Sequence, residues 1–313
     1  MRRLLVAAPL FLAVGCPNGA PPDHGPVDER VAIPPAPEAG KGVQILLPER
    51  VVPTGADQMW CVVSDFAPDQ DVLIKSFEAY QGPLGHHLFG MKSAIPRTAG
   101  EEFDCTTVDQ MTTLEPLISP NTTDKEGNGT LLTDEFTVRI PANTQVIIQS
   151  HYVNVSTSDI LVRDVVNFVF LPPDEERIEA NYLVLNDDAL HIPATNEHYV
   201  HSSECTMQHD FNFVAMHGHM HEWGKRTFIE HILPDNTTET IYDEPNWNAS
   251  FRDAPPIERW PTAEPMVFHT GDKMRVTCDW VNDTANDISF PDEMCVSLMV
   301  YYPALPEGFV ICQ

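Results

Sequence analysis

Basic side chains are scarce in this chain: 18 lysines and arginines stand against 46 acids, a formal charge of −28. That balance excludes nucleic acid and anionic membrane surfaces as partners, since both require positive potential. Long apolar runs are scarce as well. The run from Leu4 to Val14, behind Met1-Arg2-Arg3, is too short to span a bilayer and has the order of a signal peptide. Nothing later in the sequence is long or apolar enough for a transmembrane helix. Helical periodicity is nearly absent, which turns the fold towards strands. No Cys-x-x-Cys pair occurs either, so the thiols do not read as metal ligands.

What is present is a globular composition, 42% hydrophobic and 20% charged over 313 residues, enough for two domains of ordinary size. The leading apolar run ends Leu12-Ala13-Val14-Gly15-Cys16. This is similar to a bacterial lipobox, with Ala13 where leucine is usual. The expectation is a signal peptide over 1–16 and a lipid on Cys16, which places the protein in the periplasm or on the cell surface. Any membrane contact would then pass through that anchor. Without Cys16, six cysteines remain, an even number in a compartment where disulfides persist. Sequence alone does not choose among their pairings.

Pro17, Pro21, Pro22, Pro26, Pro34, Pro35 and Pro37 crowd the next segment, so residues 17–42 are expected as an extended, unstructured tether. From Val43 onward the signal is short runs rich in Thr, Val, Ile and aromatics with Gly, Pro, Asn and Asp between them. These runs are Val43 to Leu47, Trp60 to Phe66, Val72 to Tyr80, Phe136 to Ile140, Gln145 to Tyr152 and Val165 to Phe170. The stretch Leu171-Pro172-Pro173-Asp174-Glu175-Glu176 interrupts them. A second set follows at Ala180 to Leu185, Asp210 to His217, Arg226 to Ile232, Lys273 to Val281 and Val296 to Tyr302. The expected fold is all-β: two consecutive antiparallel β-sandwich domains, jelly-roll-like, over 43–172 and 173–313.

The chemistry lies in spaced histidines. In His219-Met220-His221 the two imidazoles sit two residues apart, so on an extended strand they point the same way and can pinch one metal ion, with Met220 facing away into packing. Met294, in Asp292-Glu293-Met294-Cys295, could add a thioether. Two imidazoles and a thioether make a site soft enough for Cu(I) that still tolerates Cu(II), whereas zinc and iron sites rarely recruit methionine. A second set is Gly85-His86-His87 together with Gln149-Ser150-His151-Tyr152. Adjacent residues of a regular strand aim at opposite faces, so His86 and His87 need an irregular backbone, which Gly82, Pro83 and Gly85 permit.

His-His, Gln-x-His-Tyr, His-x-His-x-x-Gly-Lys, Asp-Glu-Met-Cys and a closing Cys312 occur in this order over residues 45–313. In that order the chain resembles the type II copper, ascorbate-dependent monooxygenases, the peptidylglycine alpha-hydroxylating and dopamine beta-monooxygenases and their bacterial homologues. The resemblance implies two copper ions facing the inter-domain cleft. His86, His87 and His151 would hold the electron-entry copper, supplied by ascorbate or an equivalent one-electron donor. His219, His221 and Met294 would hold the oxygen-binding copper, where a small-molecule substrate is hydroxylated by O2. Gln149 matches the family glutamine implicated between substrate and the electron-entry copper. The disulfides it implies are Cys61 with Cys105, Cys205 with Cys312, and Cys278 with Cys295.

Two positions depart from that pattern. His217 stands where the peptide-hydroxylating members carry an arginine that clamps the substrate carboxylate, and Leu298 stands for their tyrosine. Both disfavour a peptidylglycine substrate. Glu222 reads equally as an acceptor for a ligand imidazole or as an exposed acid. His191, His198, His201, His209, His231 and His269 occur singly and read as surface or internally satisfied residues.

Overall fold

The computed structural model describes residues 25–118, 132–252 and 254–312. Cys16 and the signal segment lie outside the described residues. Among the described residues the regular structure is nearly all strand, with one short helix and one 3-10 turn, arranged as two β domains, each built from two principal sheets.

In the first domain the strands are β1 (Gly42–Leu46), β2 (Asp57–Val63), β3 (Val72–Tyr80), β4 (Gly85–Ser93), β5 (Leu114–Ile118), β6 (Phe136–Ile140), β7 (Val146–Val153) and β8 (Val165–Phe170). One sheet runs Glu102–Phe103, β2, β7, β4, β5; the other runs Ile178–Glu179, β6, β3, β8, β1. Their apolar faces close on a core that includes Ile45, Trp60, Phe77, Leu88, Ile148 and Phe168. Phe77 and Phe168 meet at 4.9 Å between ring centroids. Truncating such an aromatic to Ala would cost about 3–5 kcal/mol.

The second domain contains β9 (Asn181–Asn186), β10 (His198–Thr206), β11 (Phe211–His219), β12 (Gly224–Ile232), β13 (Thr238–Glu244), β14 (Glu258–Arg259), β15 (Lys273–Val281), β16 (Val296–Tyr302) and β17 (Val310–Cys312). One sheet follows the order β14, β11, β16, β9, β17 and the other β10, β15, β12, β13. Cys61 is bonded to Cys105, Cys205 to Cys312, and Cys278 to Cys295. The Cys205–Cys312 bridge ties the chain end to β10, and β17 then enters the sheet parallel to β9. This short edge pairing is parallel, as are those of Val27–Asp28 with Ile160–Leu161 and of Ile178–Glu179 with Phe136–Thr137, while the long strands pair antiparallel as expected.

Of the segment expected as a tether, 17–42, residues 17–24 lie outside the described residues and the remainder makes contacts with the first domain. Val27–Asp28 pairs with Ile160–Leu161, and Arg30 binds both Asp28 and Glu49. Gln44 and Asn167 donate to the carbonyls of Pro34 and Pro35. Proline removes donors but leaves carbonyls, and these carbonyls satisfy buried amides of the first domain. Residues 25–41 are therefore docked on that domain.

Phe136 and Val138 of the first domain form one buried cluster with Tyr182, Val214, Ala215 and Val300 of the second. This apolar seam joins the domains beside a cleft of about 1680 Å³ lined by both.

Candidate metal centre

Strand β7 is buried along almost its whole length, yet it carries Gln149, Ser150 and His151 in its middle. Buried polar groups need partners, and each of these has one. Ser150 Oγ donates to Asp164 at 2.6 Å, as does the Tyr152 hydroxyl, and burial pushes the Asp164 carboxyl up. Gln149 Nε2 lies 3.7 Å from Cys105 Sγ. His151 Nε2 meets Asp57 Oδ1 at 2.5 Å. Burial pulls the His151 pKa down, against the opposing pull of Asp57.

The pairing of β7 with β4 explains how adjacent histidines reach one site. His151 faces His87 in the register and Tyr152 faces Gly85, so His86 is the extra residue of a bulge. The bulge turns both imidazoles towards His151. One nitrogen or more of each of His86, His87 and His151 lies within 4.8 Å of the others. His86 Nδ1 and His151 Nδ1 are 3.2 Å apart. Imidazole nitrogens sharing a first-row metal at about 2.0–2.1 Å lie roughly 3 Å from each other, so this spacing fits a common ion. Asp57, by accepting the hydrogen bond from Nε2–H, leaves the Nδ1 electron pair of His151 for that ion.

The second pair repeats the pattern. His219 ends β11, and His221 follows Met220, which is fully buried. His219 Nε2 and His221 Nε2 are also 3.2 Å apart, and His221 Nδ1 donates to the Asp292 carbonyl at 2.9 Å. Glu293, fully buried, accepts from the backbone N–H groups of His221, Trp223 and Met294, and burial pushes its pKa up. It thereby stitches the His-x-His turn to the segment bearing Met294. Met294 lines the same cleft as His87, His219 and His221. Gly224 is required beneath the turn, since a Cβ there would lie 2.6 Å from Met220 Cε and 2.7 Å from Trp247 Cδ1. Trp247 Nε1 in turn donates to the His221 carbonyl at 3.0 Å.

Arg252, Glu222 and His217 also line the cleft. Arg252 binds Glu222 at 2.6 Å and lies 3.8 Å from Asp57, so one guanidinium stands between the acid beside His151 and the acid beside His221. Glu222 is thus an ion-pair acceptor for Arg252. His217 is 8% exposed, donates from Nδ1 to the Gly218 carbonyl at 3.0 Å, and has its pKa pulled down to about 4 by burial. Sequence reasoning missed Asp57, Glu293 and Arg252; a carboxylate next to a ligand motif was the only available signal, and only Glu293 offered it.

The remaining histidines among the described residues sit apart from both clusters, each against a carboxylate: His191 on Asp287, His198 on Asp279, His201 on Asp187, His209 on Glu307, His231 on Asp272 and His269 on Asp210. His231 is buried against its carboxylate and His201 partly so, while the other four are surface residues.

Two β domains share a histidine-lined cleft, and His86, His87 and His151 beside it are spaced as a metal-binding cluster. Residues 179–312 match the family model described as copper type II ascorbate-dependent monooxygenase, C-terminal domain. The second domain is therefore a domain of that family, and copper is the metal the family implies. No curated protein matches the chain. Among solved structures, a protein of Eubacterium rectale is 9% identical over 81% of this chain and 73% of its own, at a TM-score of 0.23. The VP2 subviral particle of infectious bursal disease virus is 10% identical over 87% of this chain and 75% of its own, at a TM-score of 0.22. Likenesses this slight carry no argument about function.

Proposed function

We propose that the chain is an exported copper monooxygenase that hydroxylates a C–H bond of a small organic substrate, drawing on O2 and a one-electron donor such as ascorbate. The observation that carries this reading is the repeated 3.2 Å spacing of imidazole nitrogens, once at His86/His151 and once at His219/His221, with His87 of the first cluster and both histidines of the second lining one cleft. The family match of the second domain supports it. Copper, when bound, supplies one-electron redox chemistry and activation of O2. His86, His87 and His151 would hold one ion; His219, His221 and Met294 would hold the other.

The chain's own residues do the positioning. Asp57 and the Asp292 carbonyl fix the tautomers of His151 and His221. Glu293 holds the Met294 segment against the His-x-His turn. Gln149 sits on the cleft wall one alternation from His151 and offers an amide to whatever occupies the space between. The six bonded cysteines support an oxidising compartment, and a lipid on Cys16 would keep the protein at a membrane surface.

The test is copper per chain, measured beside ascorbate-driven O2 uptake on benzylic amines, acyl-glycines and alkyl-chain substrates. Two ions per chain, falling to one in a His86→Ala/His87→Ala variant, and substrate-dependent uptake are expected. Copper without uptake would make this a copper-handling protein, and absence of stoichiometric copper would sink the reading.

A further inference from the structure

The two walls of the cleft are sheet faces whose registers fix what each row presents. On the second domain, His217 pairs with Leu298 and Val184 pairs with both Leu298 and Ile311. His217, Leu298, Val184 and Ile311 therefore form one row across β11, β16, β9 and β17, and all four line the cleft. Ile257, just before β14, extends the row on the far side of His217. The next row towards the mouth begins with His219, which pairs with Val296. The row on the other side, Ala215, Val300 and Tyr182, is sealed in the inter-domain seam. An apolar band thus lies between the seam and the His219 row. It crosses three strand spacings, roughly 14 Å.

The facing wall matches it. His151 pairs with Met59 and His87, Gln149 with Cys61 and Phe89, and Ile147 with Val63 and Met91. Moving away from the histidines, this face presents Phe89, Met91 and Pro116 to the same cleft, and Met111 of the short helix Val108–Met111 joins them. Methionine side chains adapt to apolar shapes without fixing one. The acids that line the cleft, among them Asp57, Asp188, Glu222, Asp287 and Asp292, are solvent-exposed and form its rim.

The geometry points to an elongated apolar small molecule, an alkyl or arylalkyl chain, as the substrate, lying across β11, β16, β9 and β17 between the Leu298–Val184–Ile311 band and the Phe89–Met91 wall. Its reactive end lies beside the His219 row. This assignment rests on the monooxygenase reading and names its substrate class; a short charged molecule would leave the band unfilled.

The experiment is calorimetric titration of the full chain, with and without copper, using 1-butanol, 1-hexanol, 1-octanol and 1-decanol as probes. Each added methylene is expected to tighten binding about three- to four-fold. Leu298→Gln and Val184→Gln, both at partly exposed positions, should weaken 1-decanol at least ten-fold with little change for 1-butanol. Val155→Gln, on an exposed site of the first domain, should change nothing. Thermal midpoints confirm that each variant is folded. Affinity that is flat with chain length, or 1-decanol binding within two-fold of wild type in both cleft variants, would overturn the assignment. Copper content is read on the same samples. Chain-length-dependent binding by a chain that takes up no stoichiometric copper when copper is supplied would sink the proposed function and leave the band intact, whereas copper-dependent O2 uptake with flat alkanol binding would do the reverse.

Discussion

Asp57 reaches across from β2 to hold His151 Nε2 at 2.5 Å, and the same contact turns His151 Nδ1 towards His86 Nδ1 at 3.2 Å. A carboxylate behind a ligand imidazole fixes its tautomer and raises its basicity, and loss of such a partner costs 10- to 100-fold in metal affinity as a rule of thumb. Asp57 is exposed at its outer edge, so its removal should leave the fold in place. Asp57→Ala is expected to weaken copper at the three-histidine cluster by about that factor, with the thermal midpoint within a few degrees of wild type. Competition titration with a chelator checks it; unchanged affinity would show that the contact orients nothing.

Magnitudes decide which contact joins the domains. The bridge from Arg252 to Asp57 and Glu222 is partly solvated, and such pairs contribute about 0–1 kcal/mol. The seam around Phe136, Tyr182 and Val300 is buried. Arg252→Gln should therefore shift global stability by under about 1 kcal/mol, whereas Phe136→Ala should cost about 3–5 kcal/mol. Denaturant unfolding of both variants compares them. A larger loss from the arginine variant would mean that the cleft, and not the seam, holds the halves together.

Gly224 tests the packing under the His-x-His turn. Any Cβ at this position collides with Met220 and Trp247, both part of the second-domain core, and pushing either aside loosens the hydrogen bond from Trp247 to the His221 carbonyl. Overpacking of this kind costs about 1–3 kcal/mol. Gly224→Ala should lower the thermal midpoint accordingly and quench or shift the tryptophan emission. A midpoint equal to wild type would show that the turn relaxes freely.

Much of this architecture was legible because β-branched and aromatic runs alternate wherever one strand face is buried. Val72–Tyr80, Phe136–Ile140, Val165–Phe170, Lys273–Val281 and Val296–Tyr302 coincide with their predicted spans for that reason. Gly85–Ser93, His198–Thr206 and Thr238–Glu244 escaped notice. The first opens with Gly-His-His, and the other two are rich in exposed polar side chains, so their strand state comes from pairing with neighbours and not from local preference. The bulge that aims His86 is a property of register, which no single strand's sequence carries. Asp57 and Arg252 come from distant segments and meet only in the folded cleft, so no spacing announces them. Prolines between 26 and 37 suggested a tether because they forbid regular structure, but their carbonyls remain acceptors, and the first domain uses them.

Met294 separates a ligand from a packing residue. Its backbone N–H is held by Glu293 at 3.0 Å, and the neighbouring Cys295 is bridged to Cys278 beneath the site, so the position of the side chain is fixed from both ends. Met294→Leu keeps volume and hydrophobicity, and a residue that only packs should tolerate it for under about 1.5 kcal/mol with activity intact. If the thioether ligates, its loss removes the soft donor that favours Cu(I). Oxygen uptake should then collapse while the three-histidine cluster still takes electrons from ascorbate. The measurement is O2 consumption beside the thermal midpoint and the copper content of wild type and variant. Full turnover in a folded, copper-loaded variant would place Met294 in the cleft wall alone and leave His219 and His221 to hold the ion without it.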